Sequence, residues 1–238
     1  LLYRSADGGH AWQVCFRASL HTQLLDIAVD PFDPRHLLIA ATDGLYASSD
    51  GGDRWQRILS GIGSCHVASF HPLQAGALWI GTAQGLFQSV DGGAHWQPVK
   101  IASSQDSVMG LAISPHAPDR LLYALTERGL WARMHPDAWM RLFPATAAED
   151  PLSEEESPDE SFPEPSLPDQ LTAVVVDPEN PDTVYLASTR GMLLSQDAGH
   201  TWQRATRLGL GSDEIRHLIV HAPSALVAAT PKGVARYH

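Results

Sequence analysis

Four aspartates stand at matching places along the chain, each inside the frame Ser-x-Asp-x-Gly-x-x-Trp. The copies are Ser5-Ala6-Asp7-Gly8-Gly9-His10-Ala11-Trp12, Ser48-Ser49-Asp50-Gly51-Gly52-Asp53-Arg54-Trp55, Ser89-Val90-Asp91-Gly92-Gly93-Ala94-His95-Trp96 and Ser195-Gln196-Asp197-Ala198-Gly199-His200-Thr201-Trp202. Carboxylates do acid–base work, and two of them facing across a cleft hydrolyse glycosidic bonds. The spacing inside each frame points elsewhere. An Asp that opens a tight turn accepts hydrogen bonds from backbone N–H groups just ahead of it. The Gly supplies the positive φ of a hairpin turn, and the Trp lays a large apolar surface on the returning strand. Asp7, Asp50, Asp91 and Asp197, with Gly9, Gly52, Gly93, Gly199 and Trp12, Trp55, Trp96, Trp202, therefore read as turn and packing residues, not as catalytic acids or a sugar-stacking set.

Other chemistry is not written in the chain. There is no Gly-x-Gly-x-x-Gly phosphate loop, Walker motif, Gly-x-Ser-x-Gly elbow or His-Glu-x-x-His pair. The twelve histidines are scattered, and His71, His116 and His221 near strand turns read as turn or surface residues. Cys15 and Cys65 fall at different positions of different repeats, so neither a disulfide nor a zinc site is expected. No metal or cofactor is expected. Asn180, the only Asn, precedes Pro, which removes any N-glycosylation sequon. The longest apolar runs fall far short of the roughly 18 residues of a membrane span. A formal net charge of -11 argues against nucleic acid as a partner. Nine of the 27 acids lie in residues 147–169, which hold no Lys or Arg, so the remainder is nearly neutral.

The elements that carry these turns repeat. Residues 24–58 hold four short apolar runs, a to d, separated by turn residues, with the Asp frame between c and d. The pattern returns over 65–99, 108–142 and 171–205, and over 215–238 as runs a to c. Asp7 to Asp50 is 43 residues and Asp50 to Asp91 is 41, the period of a four-stranded propeller blade. The third copy has His135-Pro136-Asp137-Ala138-Trp139 in place of the frame, so its c–d hairpin lacks the usual backbone acceptor. The count favours five blades, with the N-terminal segment closing the last and so covering a sheet edge. Six blades are the alternative. Residues 144–169, acidic and Pro-rich, read as a disordered insertion in a single domain spanning 1–238.

The Ser-x-Asp-x-Gly-x-x-Trp frame resembles the Asp-box (BNR) repeat of β-propellers. The running order Val-Asp-Pro-x-x-Pro (29–34 and 176–181), Gly44-Leu45-Tyr46, then the Asp frame is similar to the WD40/YVTN/BNR-like repeat family. That family includes photosystem II assembly and stability factors and sortilin-type propellers. The resemblance implies an all-β propeller that binds a protein partner or assists assembly of a complex, without catalysis, in an extracytoplasmic setting (periplasmic, lumenal or secreted). Asp boxes also occur in sialidases, but the early Arg-Ile-Pro motif of those enzymes is absent here. The alternative function is a carbohydrate-binding, lectin-like propeller or a degenerate sialidase-like one.

One end of the blades could bind. The b–c and d–a loops of a propeller share a face. Arg128, Arg190 and Lys232 lie in three consecutive b–c loops, and Arg17, Lys100 and Arg207 lie in d–a loops. These six cations are the candidate binding face, suited to an acidic peptide or to the acidic loop 144–169, itself a d–a loop, folding over them as a cover.

Overall fold

Short, mostly apolar runs of two to seven residues, separated by turn residues, fold into antiparallel strands. The computed structural model describes residues 1–101, 106–116, 122–135, 138–144, 170–205, 214–221 and 225–237. An N-terminal hairpin pairs β1 (Leu2–Arg4) with β2 (Gln13–Phe16). The first full blade is β3 (Leu24–Val29), β4 (Leu37–Ala41), β5 (Gly44–Ser48) and β6 (Gln56–Leu59). The second is β7 (Cys65–Phe70), β8 (Leu78–Thr82), β9 (Gly85–Ser89) and β10 (Gln97–Val99). The third is β11 (Val108–Ile113), β12 (Leu122–Thr126), β13 (Gly129–His135) and β14 (Ala138–Pro144). The fourth is β15 (Leu171–Val176), β16 (Val184–Ser188), β17 (Gly191–Ser195) and β18 (Gln203–Arg204). The fifth has three described strands, β19 (His217–His221), β20 (Ala225–Thr230) and β21 (Gly233–Tyr237). The fold is the all-β, five-bladed propeller that the repeat predicts.

The core lies between blades, where each blade lays one face on the next. Leu38, Ala40 and Leu45 meet Cys65, Ala68 and Ile80 at the first interface, and equivalent apolar clusters fill the following three. Strands β8 and β12 are buried along their whole length because both their faces are covered. Each of the four complete blades also carries a bulge in its inner strand, at Leu25, His66, Met109 and Thr172. At two of the bulges the extra side chain reaches the next blade. His66 Nδ1 donates to the Val108 carbonyl at 3.2 Å, and the Thr172 hydroxyl donates to the Ile215 carbonyl. In the first blade Asp26 takes this linking role, accepting the Ala68 N–H at 3.1 Å.

The N-terminal segment does not close the fifth blade, as the strand count had led us to expect. β1 and β2 form their own sheet, and β21 pairs with β20 alone among the described residues. Packing explains the choice. Phe16 of β2 lies 5.1 Å from the Tyr46 ring and 5.6 Å from Trp55, both on the first blade. Arg4 reaches the Gly51 carbonyl at 2.6 Å and the Asp53 carboxylate at 2.8 Å. The hairpin is thus the outer half of a blade leaning on the first full one. It leaves the inner face of that blade open, with Ile27 and Val29 47% and 54% exposed. The expected insertion 144–169 lies outside the described residues, apart from Pro144 at the end of β14.

Candidate functional site

The four Asp frames adopt one geometry, built on the serine. Ser48 Oγ donates to Asp50 Oδ1 at 2.8 Å and accepts the Gly52 N–H at 2.9 Å; Asp50 Oδ1 then accepts the Arg54 N–H at 2.9 Å. The same three bonds join Ser5, Asp7, Gly9 and Ala11, then Ser89, Asp91, Gly93 and His95, then Ser195, Asp197, Gly199 and Thr201. The sequence reading assigned tasks to Asp, Gly and Trp and passed over this serine. Its signal was present, since Ser opens every copy. The Trp12 and Trp55 indoles donate to the Gly9 and Gly52 carbonyls at 3.0 Å, closing the turn from the other side.

This bonding fixes the charge of the boxes. Backbone N–H donation from Ala11 and Arg54 holds the Asp7 and Asp50 carboxyls below the ordinary value, and His95 does the same for Asp91. The Thr201 hydroxyl and N–H hold Asp197 down to about 2. Carboxylates ionised this firmly and committed to their own turns are poor general acids. Among the described residues no group of three or more His, Cys, Asp or Glu could hold a metal ion.

The cations are set on turns of equal rigidity. Thr126, Ser188 and Thr230, ending their b strands, each donate a hydroxyl to the carbonyl of the glycine that opens strand c. Each same hydroxyl accepts a backbone N–H, from Arg128, Arg190 and Lys232 respectively, at 3.1–3.2 Å. Thr82 holds Gln84 in the same way. The b–c turns therefore present residues 128, 190 and 232 at equivalent, exposed positions. Arg128 pairs with Asp106 at 3.3 Å, which offsets part of its charge. Arg17 and Lys100 are exposed in the loops after β2 and β10, and Arg207 lies outside the described residues. In the first blade the matching turn carries Asp43 instead, which accepts the Tyr46 hydroxyl at 2.8 Å.

No protein-family model and no curated protein sequence matches this chain. Solved structures do. An ancestral GH74 enzyme superposes with a TM-score of 0.66 at 18% identity, over 87% of this chain and 27% of that one. YCF48 bound to D1 peptide gives a TM-score of 0.57 at 18% identity, over 99% of this chain and 85% of that one. An extracellular domain from B. thetaiotaomicron, assigned to a one component system, gives 0.64 at 13% identity, over 97% of this chain and 28% of that one. The chain thus spans about a quarter of the GH74 enzyme's length. Among the described residues no helix is long and apolar enough to cross a membrane. Identities this low carry the fold alone: the chain is a β-propeller.

Proposed function

We propose that the chain is a non-catalytic propeller scaffold that binds a protein partner or assists assembly of a complex. The observation that carries this reading is the row of Arg128, Arg190 and Lys232 on three identically braced turns of consecutive blades. A regular arc of cations on rigid turns recognises an extended acidic surface more readily than one small substrate. Lys100 and Arg17 extend the same charge from the d–a loops. The peptide-bound YCF48 neighbour supports the reading, and the GH74 neighbours support the carbohydrate alternative. The box carboxylates speak against hydrolysis, because Oδ1 of each already serves its own turn. The test pairs a bait experiment with a glycan array. A single protein retained at one-to-one stoichiometry, with a blank array, is the expected result. Glycan binding without a retained protein would replace this reading with the lectin-like one.

A further inference from the structure

Leu38 in β4 is shorter than its counterparts in the next three blades. It lies three residues before the residue that pairs with the glycine opening strand c. Trp79, Tyr123 and Tyr185 hold that place in the second, third and fourth blades. Each aromatic ring fills the space toward the following blade. The Tyr123 hydroxyl donates to the Ala198 carbonyl in the next blade's box at 3.2 Å. Trp79, 2% exposed, lies under Arg133 of the next blade, and Tyr185 packs against the cluster of the fifth.

Leucine is too short to do this. Between the first and second full blades a cleft of ≈ 690 Å³ stays open instead, at the end of the blades that carries the a–b turns and the boxes. That volume falls within the range of ligand pockets, roughly 300–1,000 Å³. Leu38, Ile58 and Phe70 are among its apolar walls, and Gly92 lines it at the place that Ala198 holds in the fourth blade's box. The lining also bears Asp30, Asp33, Asp50 and Arg54; Asp33 is paired with Arg35 at 2.9 Å, which leaves Asp30 and Asp50 as the acids available to a ligand. Asp30 is only 8% exposed; its Oδ1 accepts the Phe32 N–H, and its Oδ2 faces His36 Nδ1 at 3.5 Å.

We propose that this cleft binds a tyrosine side chain from an extended peptide of a protein partner, with a neighbouring basic residue of that peptide against Asp30 and Asp50. The third blade shows what the space accepts: a tyrosine ring whose hydroxyl meets a carbonyl of the next blade's box. The acidic lining selects the flanking charge, since a cation beside the nearly buried Asp30 carboxylate gains more than one in bulk water, and the exposed Asp50 adds a weaker attraction. A buried aromatic anchor is the usual centre of a peptide interface. The inference rests on the protein-binding reading and uses the opposite end of the blades from Arg128, Arg190 and Lys232.

The test is an NMR titration of the whole protein with acetyl-Lys-Tyr-Lys-amide and acetyl-Lys-Ala-Lys-amide. Shifts are expected at Gly76, Gly92, Ile58 and Leu38 with the tyrosine peptide, and binding about tenfold or more weaker with the alanine one. Leu38→Tyr, which fills the cleft from within, should abolish them. Asp30→Asn should weaken the lysine-bearing peptide and leave acetyl-Gly-Tyr-Gly-amide unchanged. Equal binding of both lysine peptides, or undiminished binding by a folded Leu38→Tyr protein, would overturn the proposal. So would p-cresol binding as tightly as the peptide, which would assign the cleft to a small aromatic molecule. A cleft silent at millimolar peptide, in a protein that still retains its partner as bait, overturns this inference alone.

Discussion

The Arg133 guanidinium carbon sits 4.9 Å from the centre of the Trp79 ring, joining the third blade to the second. Arg133 stands at the position that Ser48, Ser89 and Ser195 hold in the intact boxes, four residues after the glycine opening strand c. The blade that lost its box therefore gained an interblade contact at the same point. Its c–d hairpin is also the longest, with seven residues in β13 and seven in β14.

Removing that contact should be costly. Arg133 is 8% exposed, so Arg133→Ala loses both the cation–π attraction and the packing of its stem, on the order of 1–3 kcal/mol. Arg133→Lys should recover only part of it, because the ammonium does not stack. Chemical denaturation of the three proteins measures the difference. Equal midpoints would show that the Trp79 ring needs no cover.

The box serine gives a second expectation. Ser48 is 5% exposed and its oxygen serves both the Gly52 N–H and Asp50. Ser48→Ala leaves a buried N–H without its acceptor and should cost about 1–3 kcal/mol. Thermal unfolding of Ser48→Ala beside Ser5→Ala, whose turn is exposed, should show the larger loss at 48.

Ala198 is the one described non-glycine residue with positive φ, at 58°, where the other boxes have Gly8, Gly51 and Gly92. A left-handed conformation costs an L-residue about 1–2 kcal/mol, and glycine's extra freedom when unfolded takes back about 0.4–1 of it. Ala198→Gly should therefore raise stability by roughly 0.5–1 kcal/mol. A lower melting temperature for this variant would contradict the accounting.

How much of this was legible beforehand follows the range of the forces involved. The boxes were readable because Asp50, Gly52 and Trp55 complete their bonds within a few residues of each other. Strand boundaries followed from local apolar runs and glycines. The bulges at Leu25, His66, Met109 and Thr172 were invisible, since they leave no mark in composition and the bonds of His66 and Thr172 are made to a neighbouring blade. The placing of β1 and β2 failed for the same reason: counting strands cannot weigh Phe16 against Tyr46 and Trp55. The cleft at Leu38 had a readable sign, a leucine where the next three b strands have Trp79, Tyr123 and Tyr185, but only once those residues were known to face the following blade.

Acid should reveal opposite signs at two aspartates. Asp197 has a folded value of about 2, below the ordinary 3.8 of an aspartate, so the unfolded chain binds more protons between them and stability falls as pH drops through that window. Asp26 is raised, chiefly by burial, so the folded state binds more protons and stability falls as pH rises through its window. Asp26→Asn should accordingly be more stable than the wild type at neutral pH, with the gain vanishing in acid. Asp197→Asn should be less stable at neutral pH and lose less between pH 4 and pH 2. Parallel pH profiles for all three proteins would refute both assignments.

The central claim is that the braced cationic turns are the face that holds a protein. The most direct measurement is the affinity of the protein retained by the wild-type bait, titrated against Arg128→Glu, Arg190→Glu, Lys232→Glu combined in one chain, at low and physiological salt. Exposed charges act over about 8 Å at physiological salt and about 30 Å at 0.01 M, so the wild-type affinity should weaken with salt and the triple variant should bind about tenfold or more weakly at low salt. An unchanged affinity in a fully folded triple variant would contradict the account and move the binding surface off this end of the propeller.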